Sequence, residues 1–158
     1  MTMQKLQLKP TEAPEQKKPP VMRQVAALCY RVTKGKPEVL LITSRGSERW
    51  IVPKGWQMSG KSDAESARIE AWEEAGVTGK VADEKIGTFS YQKMMSAEAV
   101  IPCKAAVFPL QVKELADKFP EVGQRKRKWF SPKKAAKKVA EPDLADLLRR
   151  FKPPKSKR

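Results

Sequence analysis

Three glutamates, Glu70, Glu73 and Glu74, stand at i, i+3 and i+4 in a segment marked as a helix at both ends, and no other feature constrains the chain as much. Ser62 followed by Glu65 fits a capping box, and Gly76 fits a helix C-terminus, so the spacing predicts a helix from about Asp63 to Ala75. At 100° per residue the three carboxylates share one face and converge. Ala64, Ala67, Ala71 and Ala75 form a small-residue stripe beside them, flanked by Ile69 and Trp72. Like charges crowded this way oppose folding by about a few tenths of a kcal/mol per pair, and bound cations reverse that penalty. Taken alone, such a cluster is as well read as a solvated acidic face. Its setting argues otherwise: the helix follows a strand and a Pro-Lys-Gly loop, and it ends in Glu-Glu-Ala-Gly-Val.

Strand-length apolar runs flank the helix. Met22–Val32 and Pro37–Arg45 are joined by Lys34-Gly35-Lys36 and read as a hairpin. Trp50–Val52 is a short strand stopped by Pro53. Val77–Met94 and Glu98–Val112 supply two or three more strands. Ser131 and Pro132 open a short basic helix over Lys133–Val139, and Leu144, Leu147 and Leu148 mark a last helix over Pro142–Phe151. The fold class is therefore α/β with a mixed sheet. A chain of 158 residues suits one core, with residues 1–20 expected as a disordered arm, 21–152 as the folded domain and 153–158 as a basic tail.

Composition narrows the chemistry. The chain has no histidine, which removes Ser-His-Asp and Cys-His catalysis and any imidazole-built zinc site. Carboxylates, lysine, hydroxyls or an oxygen-bound hard ion remain, and magnesium or manganese suits the last. Cys29 and Cys103 sit in apolar runs and are expected as reduced core thiols of a cytoplasmic protein. Neither a membrane-spanning run nor a secretory leader is visible. The net charge of +15 is uneven: from Arg125 to Arg158 there are 14 Lys and Arg against three acids, Glu141, Asp143 and Asp146, a net +11. That asymmetry suggests a polyanion (nucleic acid, a polyphosphate or an acidic surface) or a solvated helix face followed by a loose tail.

Two motifs overlap on the central helix. Gly55 to Ser62 fits G-x-x-x-x-G-K-S, a phosphate-cradling loop in which Lys61 would meet phosphates and Ser62 magnesium. That loop belongs to an all-parallel sheet with a second acid ending an apolar strand, whereas residues 22–45 read as a hairpin and no downstream apolar strand ends in Asp. It also leaves the glutamates unexplained.

Read from Gly55 to Val77, the segment resembles the signature of the Nudix hydrolases, G-x5-E-x7-R-E-U-x-E-E-x-G-U, where U is apolar. Gly55, Glu70, Ala71, Glu73, Glu74, Gly76 and Val77 fall on their positions without a gap. Lys61 stands at the first acidic position and Ile69 at the arginine position; Arg68 is displaced by about 100° around the helix. The resemblance implies a Nudix-like α/β/α sandwich. It also implies catalytic and metal-binding roles for Glu70, Glu73 and Glu74, with the carbonyl of Gly55 as a further ligand.

Over residues 22–150 the chain also resembles the diphosphoinositol polyphosphate phosphohydrolase branch, most clearly in Arg23–Tyr30, Glu38–Val52 and Arg125–Phe130. This implies phosphate contacts from Arg23, Ser44, Arg45, Arg125 and Arg127, since arginine forks pair with phosphate oxygens. Glu121 is a candidate further ligand or base, Lys54 a balancing cation, and Tyr91 and Trp56 candidates to flank a ring-bearing substrate.

The function implied is Mg2+- or Mn2+-dependent hydrolysis of a phosphoanhydride bond in a phosphate-rich small molecule, such as a diphosphoinositol polyphosphate or dinucleoside polyphosphate. Which carboxylate is the base stays open. The rival is a weak or inactive Nudix-fold module that binds RNA or another polyanion through its basic C-terminus.

Overall fold

The computed structural model describes residues 20–155. The expected N-terminal arm, apart from Pro20, and the last three residues of the expected tail lie outside the described residues. β1 (Met22–Thr33) and β2 (Lys36–Thr43) form the expected hairpin. Its turn is Lys34-Gly35, both with positive φ (54° and 79°), the primed geometry whose twist matches the strands. β3 (Trp50–Ile51) and β8 (Arg127–Phe130) pair with β2. β4 (Lys54–Trp56) pairs antiparallel with the start of β1, setting Gly55 beside Val25. β4 and β8 carry no strand signal in the sequence, because three- and four-residue strands show too little alternation.

The run after the helix resolves into β5 (Val77–Val81) and β6 (Gly87–Met94), and the next strand, β7 (Val100–Leu115), runs three residues past its expected end. β1 lies parallel to β7, from Met22↔Cys103 to Tyr30↔Gln111, while every other strand pairing is antiparallel, so the sheet is mixed as expected.

Both sheet faces are covered. Val25, Ala27, Cys29, Leu40, Ile42, Phe108 and Leu110 take the alanine stripe of α1 (Asp63–Ala75) on one face. Ala26, Leu28, Val39, Leu41, Phe89 and Val107 take α2 (Pro132–Lys138) and α3 (Pro142–Arg149) on the other, through Ala135, Ala136, Leu144, Leu147 and Leu148. Three layers result. The caps of α1 are as read: the Ser62 hydroxyl accepts from the Glu65 N–H at 3.1 Å, and Gly76 takes the left-handed conformation at φ 69°. Ser131 caps α2, accepting from the Lys134 N–H at 3.3 Å. α2 and α3 each stop short of the expected end, at Lys138 and Arg149. Cys29 and Cys103 are both buried and unpaired. Among the described residues no helix is long and apolar enough to cross a membrane.

Candidate functional site

The site is built where β4 meets the second half of α1. Pairing with β1 holds Gly55 against the helix so closely that a Cβ there would stand 2.7 Å or less from Cδ and both oxygens of Glu70. The Glu70 carboxyl fills the volume that any other residue at position 55 would need. One turn further on, Oε1 of Glu74 accepts from the Lys54 N–H at 3.3 Å. Glu74 is only 8% exposed, and it shares a hydrogen bond with Glu70. Burial raises both carboxyls above their ordinary range. Glu74, further raised by its bond to Glu70, is pushed up to about 8, and the nearby Arg125 guanidinium pulls both down.

The other two expected carboxylates stand beside this pair. Charge on Glu73 and Glu121 raises Glu70 further, after burial. The Glu121 N–H donates to the Glu73 carbonyl at 3.0 Å, which docks the loop before β8 on the last turn of α1. The Glu121 carboxylate holds Arg125 Nε at 3.2 Å, and Arg125 also donates to the Thr43 carbonyl. Among the described residues Arg68, in contrast, bonds only to Glu65, and it turns away from the site, as the helical angle requires.

Among the described residues no group of three or more Cys, Asp or Glu side chains is gathered to hold an ion. The donors present still suit a hard cation. Two adjacent carboxyls and backbone stand in a place where one carboxyl replaces a side chain. Magnesium is usually held by one or two carboxylates, with waters and substrate phosphates completing its shell.

The expected phosphate contacts are dispersed. Arg45 bonds to Gln124 Oε1 at 3.1 Å, tying the β2–β3 loop to the loop carrying Glu121. The Ser44 hydroxyl accepts from the Arg49 N–H at 3.1 Å and bonds to Ser47, closing its own loop. Arg23 pairs with Asp63 at 3.4 Å, at the opposite end of α1, about 10 Å along the helix from Glu70. Arg127 departs furthest from expectation. Its two terminal nitrogens donate to the carbonyls of Ala75 (2.6 Å) and Ala116 (2.9 Å), so it caps the end of α1 and holds no free fork for phosphate.

The overlapping phosphate-loop motif is filled by the chain itself. The Gln57 amide donates to the carbonyls of Met58 and Lys61 at 2.8 and 2.7 Å, and the Ser62 hydroxyl is spent on the helix cap. The strand before it, β4, is antiparallel to its neighbour. That motif is a coincidence of sequence.

On the other face of β4, Lys54 Nζ lies 4.6 Å from the centre of the Tyr91 ring, and the Tyr91 hydroxyl bonds to Gln24. Burial pulls Lys54 below its ordinary range, while Glu74 and Glu141 pull it back up. Glu141 opens α3 without capping it: one oxygen is 4.0 Å from Arg49, and the other is buried with no hydrogen-bond partner among the described residues. Gln24 and Glu141 carried no signal in the sequence; only the sheet brings them here. Trp56 is 40% exposed with Lys93 Nζ 5.9 Å from its ring.

The model of the NUDIX domain family matches residues 22–151. Over 114 residues the chain is 33% identical to "Nudix hydrolase 16, mitochondrial" of Arabidopsis thaliana, covering 70% of this chain and 63% of that protein, so it spans less than two thirds of that relative. It is 31% identical over 135 residues to diphosphoinositol polyphosphate phosphohydrolase 3-alpha of Mus musculus, covering 82% and 77%. Among solved structures, a C. elegans Ap4A hydrolase in a binary complex superposes with a TM-score of 0.59 at 24% identity, covering 82% of this chain and 93% of that one, which supports the fold.

Proposed function

This chain belongs to the Nudix family, and from that premise we propose that it is a divalent-metal-dependent hydrolase of phosphoanhydride bonds in phosphate-rich small molecules. The observation that carries the reading is the packing of Glu70 into the space of a missing Gly55 side chain, with Glu74 buried beside it. A buried carboxyl beside a half-buried one, both raised by burial, is a poor choice for stability and a good one for neutralising a cation.

Glu70 and Glu74, with the backbone at Gly55, are the groups that would hold Mg2+ or Mn2+; Glu73 and Glu121 are the adjacent carboxylates. The ion supplies charge neutralisation on the bridging phosphates. The chain's own part is the water. A carboxylate of this cluster orients it and accepts its proton as oxygen bonds to phosphorus, and the bridging P–O bond breaks toward the departing phosphate. Lys54 and Arg125 offset the negative charge of cluster and substrate from two sides. Arg45, at the rim of the same loops, is positioned to meet the outer phosphates. Similarity to a diphosphoinositol polyphosphate phosphohydrolase makes diphosphoinositol polyphosphates the first substrates to try, followed by dinucleoside polyphosphates.

The test is phosphate and nucleotide release from diphosphoinositol polyphosphates, diadenosine polyphosphates, ADP-ribose and nucleoside triphosphates. It is run with and without Mg2+ or Mn2+, on the parent and on Glu74→Gln. Metal-dependent release that falls by orders of magnitude in the variant supports the proposal. Release from none of them would make Lys61 and Ile69 decisive and favour a binding module.

A further inference from the structure

We propose that the outer face of α2, together with Lys128 of β8, is a nucleic-acid docking surface that grips the phosphodiester backbone without reading sequence. α2 buries Ala135 and Ala136 and turns all four of its lysines, Lys133, Lys134, Lys137 and Lys138, to solvent. Lys128, on the neighbouring strand, joins them. Its Nζ lies 5.5 Å from the Phe130 ring centre and that of Lys138 lies 6.0 Å from it, so one aromatic side chain gathers strand and helix into one patch.

Among the described residues none of these five lysines makes an ion pair. The acids of neighbouring α3 are mostly engaged elsewhere: Asp146 with Arg149, and Glu141 toward Arg49, leaving Asp143. Lys133 with Lys137, and Lys134 with Lys138, are i, i+4 neighbours whose Cβ atoms stand about 5–6 Å apart, a repulsion that an anionic chain would relieve.

The chemistry of the patch selects the partner. Lysine ammoniums are point charges suited to single phosphates, and no arginine fork or exposed aromatic residue lies on α2 to read a base. Nor does α2 expose a large apolar side chain to insert into a bilayer. The patch lies on the face of the sheet opposite α1 and its carboxylates. A parallel bridge between Trp50 and Val139 fixes the end of α2 against β3.

The inference does not depend on hydrolysis and is tested apart from it. Binding of the full chain to a fluorescent oligonucleotide of about 20 nucleotides, single-stranded and duplex, is followed by anisotropy between about 50 and 200 mM KCl. Five lysine–phosphate contacts set a slope of log K against log salt near −3.5 for a single strand and −4.5 for duplex, a loss of about 100- to 500-fold over that range. The variant K133Q/K134Q/K137Q/K138Q should reduce the slope by about 3 while leaving the melting temperature and small-molecule hydrolysis unchanged. The proposal is overturned if the variant binds as the parent does, if the parent shows no salt-dependent binding, or if phosphatidylserine vesicles are bound and the oligonucleotides are not.

Discussion

Replacing Gly55 by alanine is the sharpest way to disturb the proposed site without disturbing the fold. The new Cβ would stand 2.7 Å or less from the three carboxyl atoms of Glu70. Carbon contacts settle near 3.5–4 Å, so the carboxyl must withdraw by about 1 Å. The atoms in the way are the far end of a flexible side chain, and Gly55 is not among the glycines with positive φ. The backbone therefore accepts alanine, and the lost freedom of the unfolded chain offsets part of any strain, so stability should change by no more than about 1 kcal/mol. A misplacement of about 1 Å in a reacting constellation costs on the order of 100-fold in rate. The expected outcome is a melting temperature within a few degrees of the parent, about 100-fold lower kcat/KM, and weaker Mn2+ binding by titration calorimetry. Glu70→Asp, shorter by one methylene, gives the carboxyl room. Its combination with Gly55→Ala should lose far less than the two single effects summed, a coupling read directly by a double-mutant cycle. Parent-like activity in Gly55→Ala, within about threefold, would refute the claim that the Glu70 carboxyl works from this position.

Other expectations follow from the same geometry. With metal removed by EDTA, Glu74 has a folded pKa of about 8 against an ordinary 4.5, so its contribution to stability is complete below about pH 4.5 and is lost as pH rises toward 8. The metal-free parent should therefore melt progressively lower from pH 5 to 8. Glu74→Gln should flatten that profile and melt higher than the parent at pH 8, whereas identical profiles would contradict the assignment. Arg127→Ala leaves the Ala75 and Ala116 carbonyls without their charged donor and should cost about 2 kcal/mol in urea unfolding, with Arg127→Lys restoring little of it. Cys29 and Cys103 are buried, with burial raising the Cys29 thiol, so neither should react with a thiol reagent until denaturant is added.

What the sequence disclosed and what it withheld divide along a physical line. Local chemistry was legible: the Ser62 and Gly76 caps, the Lys34-Gly35 turn, the alanine stripe and the three glutamates are set by residues within a few positions of one another. Helical spacing alone treats Glu70, Glu73 and Glu74 as equals. What separates the first and last from Glu73 is the approach of β4, a strand of three residues whose position depends on β1, thirty residues earlier in the pairing Val25↔Gly55. Arg127 follows the same division. The branch resemblance implies a phosphate contact there, whereas the backbone carbonyls of Ala75 and Ala116 that hold its guanidinium come from segments that no local pattern connects to it. Glu141 and Gln24 meet Lys54 and Tyr91 only through the sheet, so no local pattern pointed to them.

The long parallel ladder between β1 and β7 has a consequence in time rather than in space. Each residue of β1 from Met22 to Tyr30 pairs with one about 80 positions later, so the central seam of the sheet closes only when distant parts of the chain meet. Seams of high contact order form slowly, because the loop entropy is lost before the pairing is gained. During synthesis, β1, β2, β4 and α1 all emerge before the strand that flanks β1 on its remaining side. Until β7 arrives, one edge of β1 lies open to any other strand, and that interval is when this protein is most exposed to misassembly.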